Sequence, residues 1–118
     1  MTMIKIYHNP RCSKSRETLK LIREYGTQPE IIEYLKVAPT PEELKNLCRL
    51  LGKKPIEIIR AKEKVFQELG LSLDDNRSDE EWFKILSTNP VLIERPIVTD
   101  GQRAVIGRPP EAVLELLK

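Results

Sequence analysis

The stretch Asn9-Pro10-Arg11-Cys12-Ser13-Lys14-Ser15-Arg16 holds the residues best suited to do chemistry. It places Cys12 just after a β-like segment and at the expected mouth of a helix. Helix N-termini carry free N–H groups and partial positive charge. A thiolate at such a place accepts those N–H bonds, so its pKa falls below the free value of about 8.5. Arg11, Lys14 and Arg16 add positive charge. The same features bind oxyanions, so a site that makes a thiolate can also hold an anionic substrate against it. The competing reading is a buried inert thiol, the usual fate of free cysteine; the charged and polar flanks of Cys12 weigh against it. Cys48 shares an apolar helical stripe with Leu44, Leu47 and Leu51 and is expected to be core.

Cys12-x-x-Ser15 is a one-thiol version of the redox Cys-x-x-Cys spacing. With serine in the second place there is no local resolving thiol, and an oxidised Cys12 needs an outside thiol for its reduction. His8 has two readings: a hydrogen-bonding or proton partner near the sulfur, or a strand-end histidine satisfied by the adjacent turn. Arg95 precedes Pro96, so the bond between them is a candidate for the cis form, although spacing alone favours trans. The chain has nine arginines. Spacing alone leaves most of them as solvated surface residues.

The elements that must position these groups follow from periodicity. Ile4-Lys5-Ile6-Tyr7 alternates like a strand, and His8-Asn9-Pro10 stops it. A helix is expected from near Ser13, with Leu19, Ile22 and Tyr25 on one face and Gly26 as its stop. Ile31-Ile32-Glu33-Tyr34 reads as a second strand, parallel to the first by a right-handed crossover. Thr40-Pro41-Glu42-Glu43 and Ser78-Asp79-Glu80-Glu81 are capping boxes. The first opens the helix of Leu44, Leu47, Cys48 and Leu51, ended by Gly52; the second opens one carrying Trp82, Ile85 and Leu86. A turn is expected over 55–60 and a helix over about 61–69, with Val65, Phe66 and Leu69 on one side. Residues 40–89 thus read as an all-helical insertion. Pro96-Ile97-Val98-Thr99 and Arg103-Ala104-Val105-Ile106 flank Asp100-Gly101, a strong hairpin signal. Pro109-Pro110-Glu111 opens a last helix with Val113, Leu116 and Leu117 inward. The order predicts an α/β fold, a β-α-β … β-β-α core in one domain over 1–118.

Composition narrows the function. The chain has 118 residues, 40% hydrophobic and 32% charged, which suits one globular domain. Lys plus Arg is 20 and Asp plus Glu is 18. That balance lacks the basic excess of a nucleic-acid binder. No apolar run approaches the ~20 residues of a membrane span, and no secretory leader is seen, so the expected location is the cytoplasm. Two cysteines and one histidine cannot alone make a four-ligand structural zinc site. No metal or bound organic cofactor is expected, and no exposed apolar heptad suggests a dimer, so a monomer is expected.

Three separated motifs together resemble the glutaredoxin-linked arsenate reductase family of bacteria. They are Tyr7-His8-Asn9-Pro10-Arg11-Cys12-Ser13-Lys14-Ser15-Arg16, Glu94-Arg95-Pro96-Ile97-Val98 and Ile106-Gly107-Arg108-Pro109-Pro110. The resemblance runs from Ile4 to Leu117. It implies a thioredoxin-like fold with a helical insertion, and a cis bond before Pro96. It implies that Cys12 attacks arsenate to form a thiol–arsenate adduct, with Arg60, Arg95 and Arg108 holding the oxyanion. His8 and Ser15 match residues that the family places close to the sulfur. Glutathione as co-substrate then attacks the adduct, arsenite leaves, and glutaredoxin recycles the mixed disulfide. Guanidinium forks suit such a tetrahedral anion because they pair bidentately and stay charged. Resistance-type members carry Gly-Thr after the cysteine; Ser13-Lys14 resembles a neighbouring branch.

Two other readings share these features. One is a more general glutathione-dependent thiol reductase, with the arginines on the glutathione carboxylates. The other is an Spx-type regulator docking on RNA polymerase, which uses a Cys-x-x-Cys switch that Ser15 interrupts here.

Overall fold

The computed structural model describes residues 3–118. The chain forms two compact units, one from the residues up to Val37 together with Arg95–Lys118, the other Ala38–Glu94.

In the first unit, β1 (Lys5–Tyr7) leads through a short turn to α1 (Ser13–Glu24) and back to β2 (Glu30–Ile32). β3 (Ile97–Thr99) and β4 (Ala104–Ile106) follow, then a 3₁₀ turn at Pro110–Val113. The sheet order is β2-β1-β3-β4, with β1 parallel to β2 and antiparallel to β3, and β3 antiparallel to β4. This mixed four-stranded sheet has the β-α-β … β-β-α order expected, and it is the thioredoxin-like arrangement that the family resemblance implies. Ile6 stands opposite Val98, and Val98 opposite Val105. Ile4, Ile6 and Val98 meet Leu19 and Ile22 of α1 and Val113 and Leu116 near the C-terminus in one core cluster. Full burial of such a side chain stabilises by about 1.5–3 kcal/mol, so these few contacts fix α1 on the sheet.

The buried stripe of α1 is Ser15, Thr18, Leu19 and Ile22, with two hydroxyls that an apolar pattern does not count. Tyr25, expected on this face, lies past the last helical residue and is exposed. The second strand stops at Ile32, and Tyr34 is buried from a turn instead. The hairpin loop is four residues, Asp100–Arg103, between paired Thr99 and Ala104. Asp100 Oδ1 accepts from the N–H groups of Gln102 (2.9 Å) and Arg103 (2.7 Å). Gly101 sits at φ +91°, where a side chain would be strained. The last helix begins as the 3₁₀ turn and becomes α5 (Leu114–Leu117).

The second unit contains α2 (Pro41–Leu51), a 3₁₀ turn at Pro55–Glu57, α3 (Lys64–Glu68), α4 (Asp79–Thr88) and a 3₁₀ turn at Pro90–Leu92. Both capping boxes form. Thr40 Oγ1 accepts from the Glu43 N–H at 3.1 Å and Ser78 Oγ from the Glu81 N–H at 3.2 Å, with each glutamate reciprocating. α2 packs on α4. Phe83 is buried beside Trp82 and Leu86, whereas Ile85, expected inward, is only half-buried. The unit is not wholly helical. Ile59 bridges Ile93, and the flanking bonds Arg60 N–H to Leu92 O (2.7 Å) and Glu94 N–H to Ile58 O (2.8 Å) tie two segments antiparallel. α3 starts at Lys64 because residues 60–63 form a turn closed by Glu63 N–H to Arg60 O. Leu69 consequently falls outside the helix and is exposed. Among the described residues, no helix is long and apolar enough to cross a membrane.

Candidate active site

His8 extends the ladder past β1, its N–H donating to Ile32 O at 2.8 Å. The chain then turns sharply. Asn9 Oδ1 accepts from the Arg11 N–H (3.0 Å) and Asn9 O from the Cys12 N–H (3.0 Å). Cys12 is the N-cap of α1, with extended backbone at φ −95° and ψ 122°, and its carbonyl accepts the first helical bond from Arg16 N–H. An N-cap side chain faces the free amides of the first turn. Here that side chain is a thiol.

Cys12 is 8% exposed. Burial is the largest influence on its ionisation and opposes it. The Ser15 amide, the Arg95 guanidinium through both a hydrogen bond and its charge, and the Lys14 amide together outweigh burial and hold the thiol below its ordinary pKa. Arg108 Nη2 lies 3.7 Å from the sulfur. Two guanidinium groups thus flank one sulfur.

Arg95 and Arg108 come from separate loops that share a construction. Each precedes a cis proline, Pro96 and Pro109 respectively. Arg108 Nε donates to Arg95 O at 2.8 Å, and Arg95 Nε and Nη1 are shielded from solvent. Gly107 precedes Arg108 and donates its N–H to Pro96 O at 2.9 Å; spacing does not single it out. A Cβ on it would lie 2.5 Å from Thr18 Oγ1 and 2.8 Å from Pro96 Cγ. Thr18 is fully buried, donates to Lys14 O (2.8 Å) and reaches Gly107 O (3.5 Å). Only a glycine lets the Arg108 loop close on α1 this tightly. The sole sequence signal was its place in Ile106-Gly107-Arg108-Pro109.

His8 reaches the site through Ser15, with Nδ1 2.6 Å from Ser15 Oγ, an oxygen that also accepts from the Asn9 N–H at 3.1 Å. Burial lowers the His8 pKa; Glu33 opposes this and Arg23 and Arg16 assist. The Ser15 hydroxyl, which takes the Asn9 N–H, thus links Asn9 and His8 in one network. Ser15 therefore serves twice, its amide toward the sulfur and its hydroxyl toward the loop.

Arg60 belongs to the second unit, on the bridged segment, where its guanidinium pairs with Glu63. Cys48 is buried on α2, and burial, with Asp79 and Glu57 adding, pushes its thiol up to about 11. Among the described residues, no group of three or more His, Cys, Asp or Glu could hold a metal ion. A depressed thiol between two guanidinium groups suits nucleophilic attack on an oxyanion, because the cations offset the repulsion between the two anions.

A family model described as "ArsC family" matches residues 7–116. The chain is 47% identical to an arsenate reductase of Haemophilus influenzae over 95% of this chain and 97% of that protein. It is equally 47% identical to YfgD of Escherichia coli, described as an uncharacterized protein, over 97% and 96% of the two chains. A solved structure of an arsenate reductase from Vibrio cholerae superposes with a TM-score of 0.91 at 47% identity, covering 97% of each chain.

Proposed function

The chain belongs to the ArsC family, and on that premise we propose that it is an oxidoreductase that reduces arsenate, with Cys12 as the nucleophile. The observation that carries this reading is the 3.7 Å approach of Arg108 Nη2 to the Cys12 sulfur, on a thiol that Arg95 and two helix amides already favour as thiolate.

In the proposed reaction the Cys12 thiolate attacks arsenic, and one arsenate oxygen leaves as water after protonation. Arg95 and Arg108 hold the remaining oxygens. The glutathione thiolate then attacks the Cys12 sulfur. The sulfur–arsenic bond breaks with its electron pair going to arsenic, which departs as arsenite, and a Cys12–glutathione disulfide remains. Glutaredoxin with a second thiol reduces that disulfide, so two thiols supply the two electrons. His8 and Ser15 support the loop that carries the sulfur. The protein acts as a monomer with no bound metal or organic cofactor, in the cytoplasm, where glutathione keeps thiols reduced. Ser15 at the second position of the motif, with its oxygen tied to His8 and Asn9, disfavours a dithiol switch of the regulator type.

The test is arsenate-dependent NADPH consumption with glutathione, glutaredoxin and glutathione reductase supplied. A rate requiring arsenate, glutathione and Cys12, abolished in Cys12→Ser, supports the reading. A folded protein with no arsenate-dependent rate overturns it.

A further inference from the structure

A cavity of about 540 Å³ opens on the first unit, lined by His8, Pro10, Arg16, Leu19, Lys20 and Arg23, with Glu24 at its edge. That volume is typical of a small-molecule site. It is separate in character from the anion site at Cys12. Pro10, Leu19 and the hydrocarbon stems of the long side chains give it a mainly apolar wall. Arg16, Lys20 and Arg23 follow at i, i+4 and i+7 along α1, so they share one helix face and bring three cations against the one carboxylate of Glu24.

His8 supplies a polar point in that wall. It is 6% exposed, and its Nδ1 is engaged with Ser15 Oγ. An apolar wall and a cationic rim of Arg16, Lys20 and Arg23 are complementary to an amphiphilic anion. They do not suit a bare oxyanion, which gains nothing from Leu19 and Pro10, nor a cation.

We propose that this cavity binds a small organic acid with an apolar body and a single anionic head, the body against Leu19 and Pro10 and the head toward His8, Lys20 and Arg23. The bound acid sits one hydrogen bond from Ser15, whose amide faces the catalytic sulfur.

The probe is 1-anilinonaphthalene-8-sulfonate, an apolar body with one anionic group, titrated into the folded 118-residue chain. A saturable fluorescence rise, displaced by 1-naphthoate and not by arsenate or phosphate, is expected. Lys20→Glu/Arg23→Glu, at two exposed positions, weakens binding at least tenfold with an unchanged unfolding temperature. Lys54→Glu/Lys84→Glu makes the same change in net charge on the second unit and leaves binding as it was. The proposal is overturned by a linear, unsaturable signal, by equal weakening in both double variants, or by displacement with arsenate, which puts the probe at Cys12.

Discussion

The Nε of Arg108 donates a 2.8 Å hydrogen bond to the backbone oxygen of Arg95. One guanidinium thus braces the loop that delivers the other, while its Nη2 stays near the Cys12 sulfur. The two arginines form a coupled pair, and their contributions are not additive.

Removing Arg95 or Arg108 singly as alanine is expected to cost about 10²-fold in kcat/KM for arsenate, the scale of one lost charge-stabilising donor. The double variant costs less than the product of the two. Arg95→Lys also loses most of the activity, since a point charge does not replace a fork. A double-mutant cycle with strictly multiplicative losses would show that the brace has no functional consequence.

The rate of iodoacetamide alkylation against pH reports the thiols. Cys12 reacts with a midpoint below the ordinary thiol value, and Arg95→Ala moves that midpoint up, because a hydrogen bond and a charge on the sulfur are lost. Cys48 stays unreactive in the native fold until pH approaches about 11. The stability effects have opposite sign. The folded pKa of Cys12 is depressed, so its contribution is present above the unfolded pKa and lost as pH falls through the folded one. That of Cys48 is raised, so its contribution is present below the unfolded pKa and lost as pH rises through about 11.

Gly107→Ala forces a methyl against Thr18 and Pro96. Overpacking of this kind costs about 1–3 kcal/mol, read by urea unfolding, and displaces Arg108, so the arsenate KM rises. Adding Thr18→Ala removes the nearest clash and returns part of the stability. Full stability in Gly107→Ala alone would mean that the loop has slack that the contacts deny.

Ser15→Ala removes the hydroxyl between His8 and the Asn9 N–H while leaving the Ser15 amide in place. Stability falls by about 1–3 kcal/mol, the cost of buried polar groups left unpaired. The Cys12 titration midpoint moves much less than in Arg95→Ala. A larger shift in Ser15→Ala would place the hydroxyl, and not the amide, at the centre of thiolate stabilisation.

Much of the frame was legible in the residues, because local signals wrote it: alternation in Ile4–Tyr7, two capping boxes, Asp100-Gly101, and a cysteine at a helix mouth. What stayed hidden depends on distance along the chain. Thr18 and Gly107 are 89 residues apart, and no window shows that one needs the other to lack a side chain. The pairing of residues 58–60 with 92–94 is also nonlocal, so 55–60 reads only as a turn. Phe83 and Ile85 are two apolar residues flanking Lys84, and only the packing partner decides which turns inward. Arg95 and Arg108 were marked by motif resemblance; charge and spacing could not separate them from the other arginines.

The amide donors facing Cys12 belong to Lys14 and Ser15, yet neither side chain provides them. Any residue but proline at these places supplies the same N–H. Ser13 and Lys14, both exposed, can therefore be exchanged without removing these two donors. Variation at these two positions can leave the sulfur chemistry intact while changing the surface presented to whatever approaches it. An alanine scan passes over this part of the machinery, because the helix start itself encodes it.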